Sequence, residues 1–134
     1  MQYHTESSGP DADAFARALA YALNLAQSCD CKDVIFLTPT LKNLDGVPKD
    51  VMGSIAIKSL IKKRVISENG VNIHLETERT VSSPKQAIVF APFVSPKLLA
   101  KAIGDFRMVD LVYVPWTPQE LAAYKAAHPA SIVI

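Results

Sequence analysis

The sequence predicts an α/β protein: a three-layer α/β/α open sheet of Rossmann-like or flavodoxin-like type, with about five mainly parallel strands. Three observations carry this reading. Apolar runs end in a proline at Phe36-Leu37-Thr38-Pro39-Thr40, Val89-Phe90-Ala91-Pro92-Phe93 and Tyr113-Val114-Pro115-Trp116, and proline has no N–H with which to extend a central ladder. A segment with helical spacing follows each stop. The runs themselves show no apolar–polar alternation, as befits strands covered on both faces.

In chain order, residues 1–10 are polar and predict a flexible segment ahead of one domain over 11–134. Asp11 caps the first helix, and Asp13 places negative charge where the helix dipole favours it. Phe15, Leu19, Ala22, Leu23 and Ala26 then recur at three- and four-residue spacing, forming one apolar stripe. Val34–Leu37 reads as the first strand, and a Pro/Gly-bearing loop leads to a helix over roughly 50–66 capped by Asp50. Asn69-Gly70 is read as the stop of that helix, because both residues tolerate a left-handed backbone; a hairpin is the alternative.

Val71-Asn72-Ile73-His74-Leu75-Glu76 alternates, which predicts a strand at the sheet edge with its polar side wet. Ala87–Phe90 is a fully apolar strand. Ser95-Pro96 opens a helix to about Ile103, with serine as cap and proline at the first helical position. Val109–Val114 is the next strand. Thr117-Pro118-Gln119-Glu120 is a capping box opening a helix to about Ala127, and residues 131–134 form a last short strand. Numbering the five strands in sequence order, the expected arrangement is 2-1-3-4-5.

Composition narrows the functional classes. At 134 residues the chain buries roughly two-thirds of its unfolded surface as one domain. A net charge of +1 gives no global field to attract nucleic acid or anionic membrane, so nucleic acid is not an expected partner. No apolar run approaches the roughly 20 residues needed to span a bilayer. The opening Met1-Gln2-Tyr3-His4 lacks the blocks of a secretory signal, and a cytoplasmic protein is expected. Cys29 and Cys31 are read as free thiols, since a bridge between them would close a strained ring. No second ligand cluster accompanies them, so no metal is expected.

The five glycines are too scattered for a dinucleotide turn or a phosphate loop. No nucleophile elbow or His-Glu-x-x-His helix is present. No cofactor and no catalytic residue are assigned.

The best candidate site lies beyond the carboxyl ends of the strands, where open α/β sheets bind ligands. There Thr38, Thr40, Lys42 and Asn43 are expected to face Phe93, Ser95 and Lys97, with Trp116 and Thr117 on the neighbouring crest. Helix N-termini at Ser95 and Thr117 present N–H groups to an anion, although each residue is also accounted for as a cap. Phe93 and Trp116 form either an exposed interaction surface or a cover for the sheet. His74, with Asn72 and Glu76 two positions away on either side, reads as a surface histidine. Lys58, Lys62, Lys63 and Arg64 read as a cationic helix end matched to the dipole; contact with nucleic-acid phosphate is the alternative, although no aromatic residues interleave the run.

Gly9-Pro10-Asp11-Ala12-Asp13 through Leu37-Thr38 resembles the helix-then-strand start of pyruvate-kinase C-terminal-type domains, without the Ser/Thr-Gly turn that such domains place after the strand. The element order, with Val109-Asp110-Leu111-Val112 and Glu120-Leu121-Ala122, resembles the chi clamp-loader subunit of bacterial replicases, a Rossmann-like protein that works through protein contacts. Both resemblances imply the fold and nothing about chemistry. The expected function is a non-catalytic module for a protein partner or for self-association. The alternative is a binder of, or enzyme acting on, a small phosphate- or nucleotide-type ligand at the strand ends.

Overall fold

The computed structural model describes residues 1–134. The chain runs through β1 (Gln2–His4), α1 (Ala12–Ser28), β2 (Asp33–Leu37), a 3₁₀ turn (Leu41–Leu44), α2 (Val47–Met52), α3 (Ser54–Lys63), β3 (Val65–Glu68) and β4 (Val71–Glu76). It continues through β5 (Ala87–Pro92), α4 (Pro96–Ile103), β6 (Met108–Val114), α5 (Pro118–Ala127) and β7 (Ile132–Val133). The seven strands form one sheet in the order β3-β4-β2-β5-β6-β1-β7. Every pairing is parallel except β3 with β4.

Three layers follow from the alternation of side chains along each strand. Val34 and Phe36 join Phe15, Ala18, Ala22 and Leu60 in the core beneath α1 and α3. Ile35 and Leu37 join Leu98, Ala102 and Tyr124 in the core beneath α4 and α5. Connections that move toward the β3 edge run over the α1 face, and those that move back run over the α4 face. One hand of crossover therefore applies throughout, as the right-handed rule requires.

The caps read from the sequence are present. Ala14 N–H donates to Asp11 Oδ1 at 2.9 Å, starting α1. In α5, Glu120 N–H donates to Thr117 Oγ1 at 3.0 Å, and Thr117 N–H returns to Glu120 Oε1 at 3.0 Å. Small residues at Ala14, Ala18, Ala22 and Ala26 are fully buried, so α1 lies close against the sheet.

The structure departs from the sequence reading at both margins. The start of the chain does not fray: β1 inserts between β6 and β7. The last strand therefore pairs with β1 and not with β6. At the other margin, Gly53 at φ +90° breaks the expected 50–66 helix into α2 and α3.

Arg64 at φ +66° already ends α3, so Asn69 and Gly70, at φ +50° and +80°, are available to turn a hairpin. That hairpin adds β3 outside β4, so residues 71–76 are interior and not the edge. The alternation of β4 is real, but its polar side is only partly wet. Asn72 is exposed, whereas Glu76 is 3% exposed beneath the return segment 77–86.

Glu76 is buried with partners on every side. Arg107 Nη2 donates to its two carboxylate oxygens at 3.1 and 3.2 Å. Ser82 donates to Oε2 through its N–H at 3.1 Å and its hydroxyl at 2.6 Å. Arg107 also donates to Asp105 Oδ2 at 2.6 Å and to the Ser82 carbonyl at 2.9 Å. The hydrogen bonds from Arg107 hold the Asp105 carboxyl below its ordinary range, and those same bonds keep the guanidinium protonated. This network fastens the helix-free return from β4 to β5.

Candidate binding cleft

Strand β2 has β4 on one side and β5 on the other. The chain leaves β2 over the α1 face and leaves β5 over the α4 face, so a crevice opens between the two carboxyl ends. It is a topological switch point. The crevice holds about 560 Å³, within the range of small-molecule and peptide side-chain sites.

Six of the nine residues expected at this rim line it: Thr38, Lys42, Asn43, Phe93, Ser95 and Trp116. Three do not. Thr40 lies in the same loop but turns its hydroxyl to Asn43 Oδ1 at 2.7 Å. Lys97 is exposed on the first turn of α4. Thr117 is occupied as the α5 cap and does not reach the cleft wall.

Phe36, Phe93 and Trp116 line the cleft, and an aromatic relay backs it from the core. Phe15, fully buried, meets Phe90 edge-on at 5.2 Å and lies against Phe93 at 6.1 Å with ring planes 23° apart. Phe93 meets Trp116 edge-on at 5.2 Å, and Trp116 is 44% exposed. The backbone at Phe93 has φ +58°, a left-handed conformation that is costly for a bulky side chain. Its N–H donates to the Val114 carbonyl at 2.8 Å. That bond ties the crest of β5 to the crest of β6 and sets the two rings together.

The polar groups at the cleft are engaged locally. Thr38 Oγ1 donates to the Thr40 carbonyl at 3.2 Å, and Asn43 Oδ1 accepts from Thr40 N–H at 3.1 Å. Ser95 Oγ accepts from Leu98 N–H at 3.2 Å. Lys42 makes no ion pair. Five lining residues are prolines (Pro10, Pro39, Pro48, Pro92 and Pro96), so much of the wall has no N–H to offer. Pro96 occupies the first position of α4 and removes one donor from the helix N-terminus that was expected to receive an anion. The sequence did not single out Pro10, Pro48 or Phe36 for this site. Phe15 lies behind the cleft in the core, as its helical phase already marked it.

The other candidate residues lie apart from the cleft. His74 Nε2 is 2.8 Å from Asp33 Oδ1, half-buried on the α4 side of β4. Cys31 N–H donates to Cys29 Sγ at 3.2 Å, and burial pushes the Cys31 thiol up. Both thiols are free. No group of three or more His, Cys, Asp or Glu side chains is placed to share a metal ion. No helix is long and apolar enough to cross a membrane.

A polar cluster on the far side of the sheet ties down the chain start. His4 Nδ1 is 2.8 Å from Ser131 Oγ, and the Tyr124 hydroxyl donates to Gln2 Oε1 at 2.8 Å and contacts Ser131 Oγ at 2.9 Å. His4 is 2% exposed and its Nε2 has no partner. Burial lowers its pKa, with Glu6 opposing and Lys125 adding to the shift. The unfolded chain therefore binds the proton more readily than the folded one. Stability from neutral His4 is complete above its ordinary value near 6.5 and declines as pH falls below it. Asp105, whose carboxyl is also held below its ordinary range, loses its contribution only as pH falls through about 4 and below. Thermal midpoints measured from pH 7.5 to 5 are expected to fall, and His4→Gln is expected to flatten that limb. An unchanged slope in His4→Gln would contradict the assignment.

No family model, curated protein or solved structure matches this chain.

Proposed function

We propose that this protein is a non-catalytic binding module, and that its cleft between β2 and β5 receives an apolar side chain of a protein partner. The observation that carries this reading is the aromatic relay from Phe15 through Phe93 to the half-open Trp116. Tryptophan beside a preformed apolar crevice is the residue type on which interface energy concentrates. The hydroxyls, the amide oxygen and the Asp45 and Glu120 carboxylates around it are engaged within their own loops and helix start, which suits a fixed wall better than acid–base or nucleophilic work. Proline-rich walls weaken the case for a phosphate cradle, which needs convergent N–H donors. Free Cys29 and Cys31 suit a reducing, cytoplasmic setting.

Random peptides displayed on phage and selected on the immobilised protein test this reading. Peptides bearing aromatic or large aliphatic residues are expected to enrich, and the enrichment is expected to vanish on Trp116→Ala. Equal enrichment on both proteins, or none on either, would overturn it. A second reading rests on Lys42, the single cation lining the cleft and one without an ion pair: a small anionic ligand at the same crevice. Thermal stabilisation by a nucleotide or sugar phosphate, abolished by Lys42→Ala, would establish that reading in place of the first.

A further inference from the structure

We propose that the α4 side of the β3–β4 edge binds single-stranded nucleic acid, with phosphates on Lys63, Arg64, Lys85 and Lys101 and a base against Phe106. Only the return segment 77–86 covers β4 on this side, and it forms a ridge with a groove on each flank. One groove, about 340 Å³, runs between the ridge and the end of α3 and is lined by Lys63 and Arg64. The other, about 690 Å³, runs between the ridge and the α4–β6 turn and is lined by Lys85, Lys101 and Phe106. Val81, Ser82 and Ser83 line both, so the two grooves adjoin across the ridge, and a flexible strand laid over it would enter both.

The track carries five cationic side chains against two carboxylates. Both carboxylates, Glu76 and Asp105, are ion-paired with the fifth cation, Arg107, so the three together carry one net negative charge against the four remaining cations. The other four cations make no ion pair, and all four are exposed. A whole-chain charge of +1 thus conceals a local concentration that the fold creates by setting the end of α3 on one flank of the ridge and residues 85 and 101 on the other.

Phe106 is 93% exposed. It stands on a turn as a platform and does not fill a pocket, which suits a stacked base better than an inserted peptide side chain. A cationic groove with a sequence-tolerant aromatic platform is the general form of single-strand recognition. No residue of the track lines the cleft between β2 and β5, so this site is independent of the function proposed above.

Fluorescence anisotropy of a labelled oligothymidylate of about 20 nucleotides tests the proposal. Affinity is expected to fall between about 50 mM and about 200 mM salt, with a log–log slope near about −3 for four phosphate contacts. Lys85→Glu with Lys101→Glu is expected to weaken binding by about tenfold or more and to shallow that slope by more than about 1. Phe106→Ala is expected to weaken binding by about fivefold or more with the slope unchanged. The three side chains are exposed, and Trp116 emission checks that each variant is folded. No binding at about 100 µM protein in low salt, equal displacement by polyglutamate of matched charge, or full affinity in Phe106→Ala would each overturn the proposal.

Discussion

Arg107→Met is expected to lower the unfolding free energy by about 3–5 kcal/mol, because it leaves a carboxylate buried without its countercharge. Glu76 is 3% exposed and Arg107 is 8% exposed, so water cannot replace the lost partner cheaply. The double replacement Arg107→Met with Glu76→Gln is expected to recover much of the loss, since the stranded charge goes with it. Urea unfolding of the two single variants and the double variant measures the coupling. A loss below about 1 kcal/mol in Arg107→Met would place the pair at a solvated surface. Amide exchange is expected to quicken first in residues 77–86, the segment that this guanidinium ties to Glu76 and Asp105.

Phe15→Ala is expected to cost a further about 3–5 kcal/mol in its own right, as large-to-small changes in a closed core do. Phe15 has no exposed surface and touches Phe36, Phe90 and Phe93. Its loss also removes the floor on which Phe93 rests, so the cleft is affected with the core. Phe15→Leu separates the two effects. It is expected to destabilise far less, yet to weaken any peptide that depends on Trp116, because the flat support of the Phe93 ring is gone. Unfolding curves read the first effect and peptide titration reads the second. If Phe15→Leu binds as tightly as the parent, the relay does not shape the cleft.

Much of the layered architecture was legible because it is written in local patterns. Proline stops, unalternating apolar runs and the cap at Thr117 act over a few residues, and each is where the sequence put it. Four of the five anticipated strands also stand side by side in the expected order, since short connections and one hand of crossover leave few choices; the fifth is separated from them by β1. What the sequence hid depends on distant pairing. Nothing in Gln2-Tyr3-His4 distinguishes a frayed start from a three-residue strand; its place is made by Leu111, Val112 and Tyr113 on one side and Ile132 and Val133 on the other.

The hairpin at Asn69-Gly70 was obscured by a helix that ended five residues earlier, at Arg64. Glu76 looked wet because alternation reports the face of a strand and not what later crosses over it. For the candidate cleft, residues on the two crests could be anticipated from the strand-end rule. Pro10 and Pro48 could not, because the segment before α1 and the start of α2 bring them there from remote parts of the chain. The cationic track was hidden for the same reason: Lys63 and Lys101 come to the two flanks of one ridge only when the chain folds.

Trp116 is the only tryptophan, so its emission reports on the proposed cleft without labelling. The most direct test is a titration of a selected aromatic-bearing peptide, followed by Trp116 emission and by backbone amide shifts. Saturable emission change is expected, with the largest shifts confined to residues 38–48 and 92–96 and both signals lost in Trp116→Ala. Tight binding with silent tryptophan emission and shifts clustered elsewhere would contradict the placement of the site at the switch point.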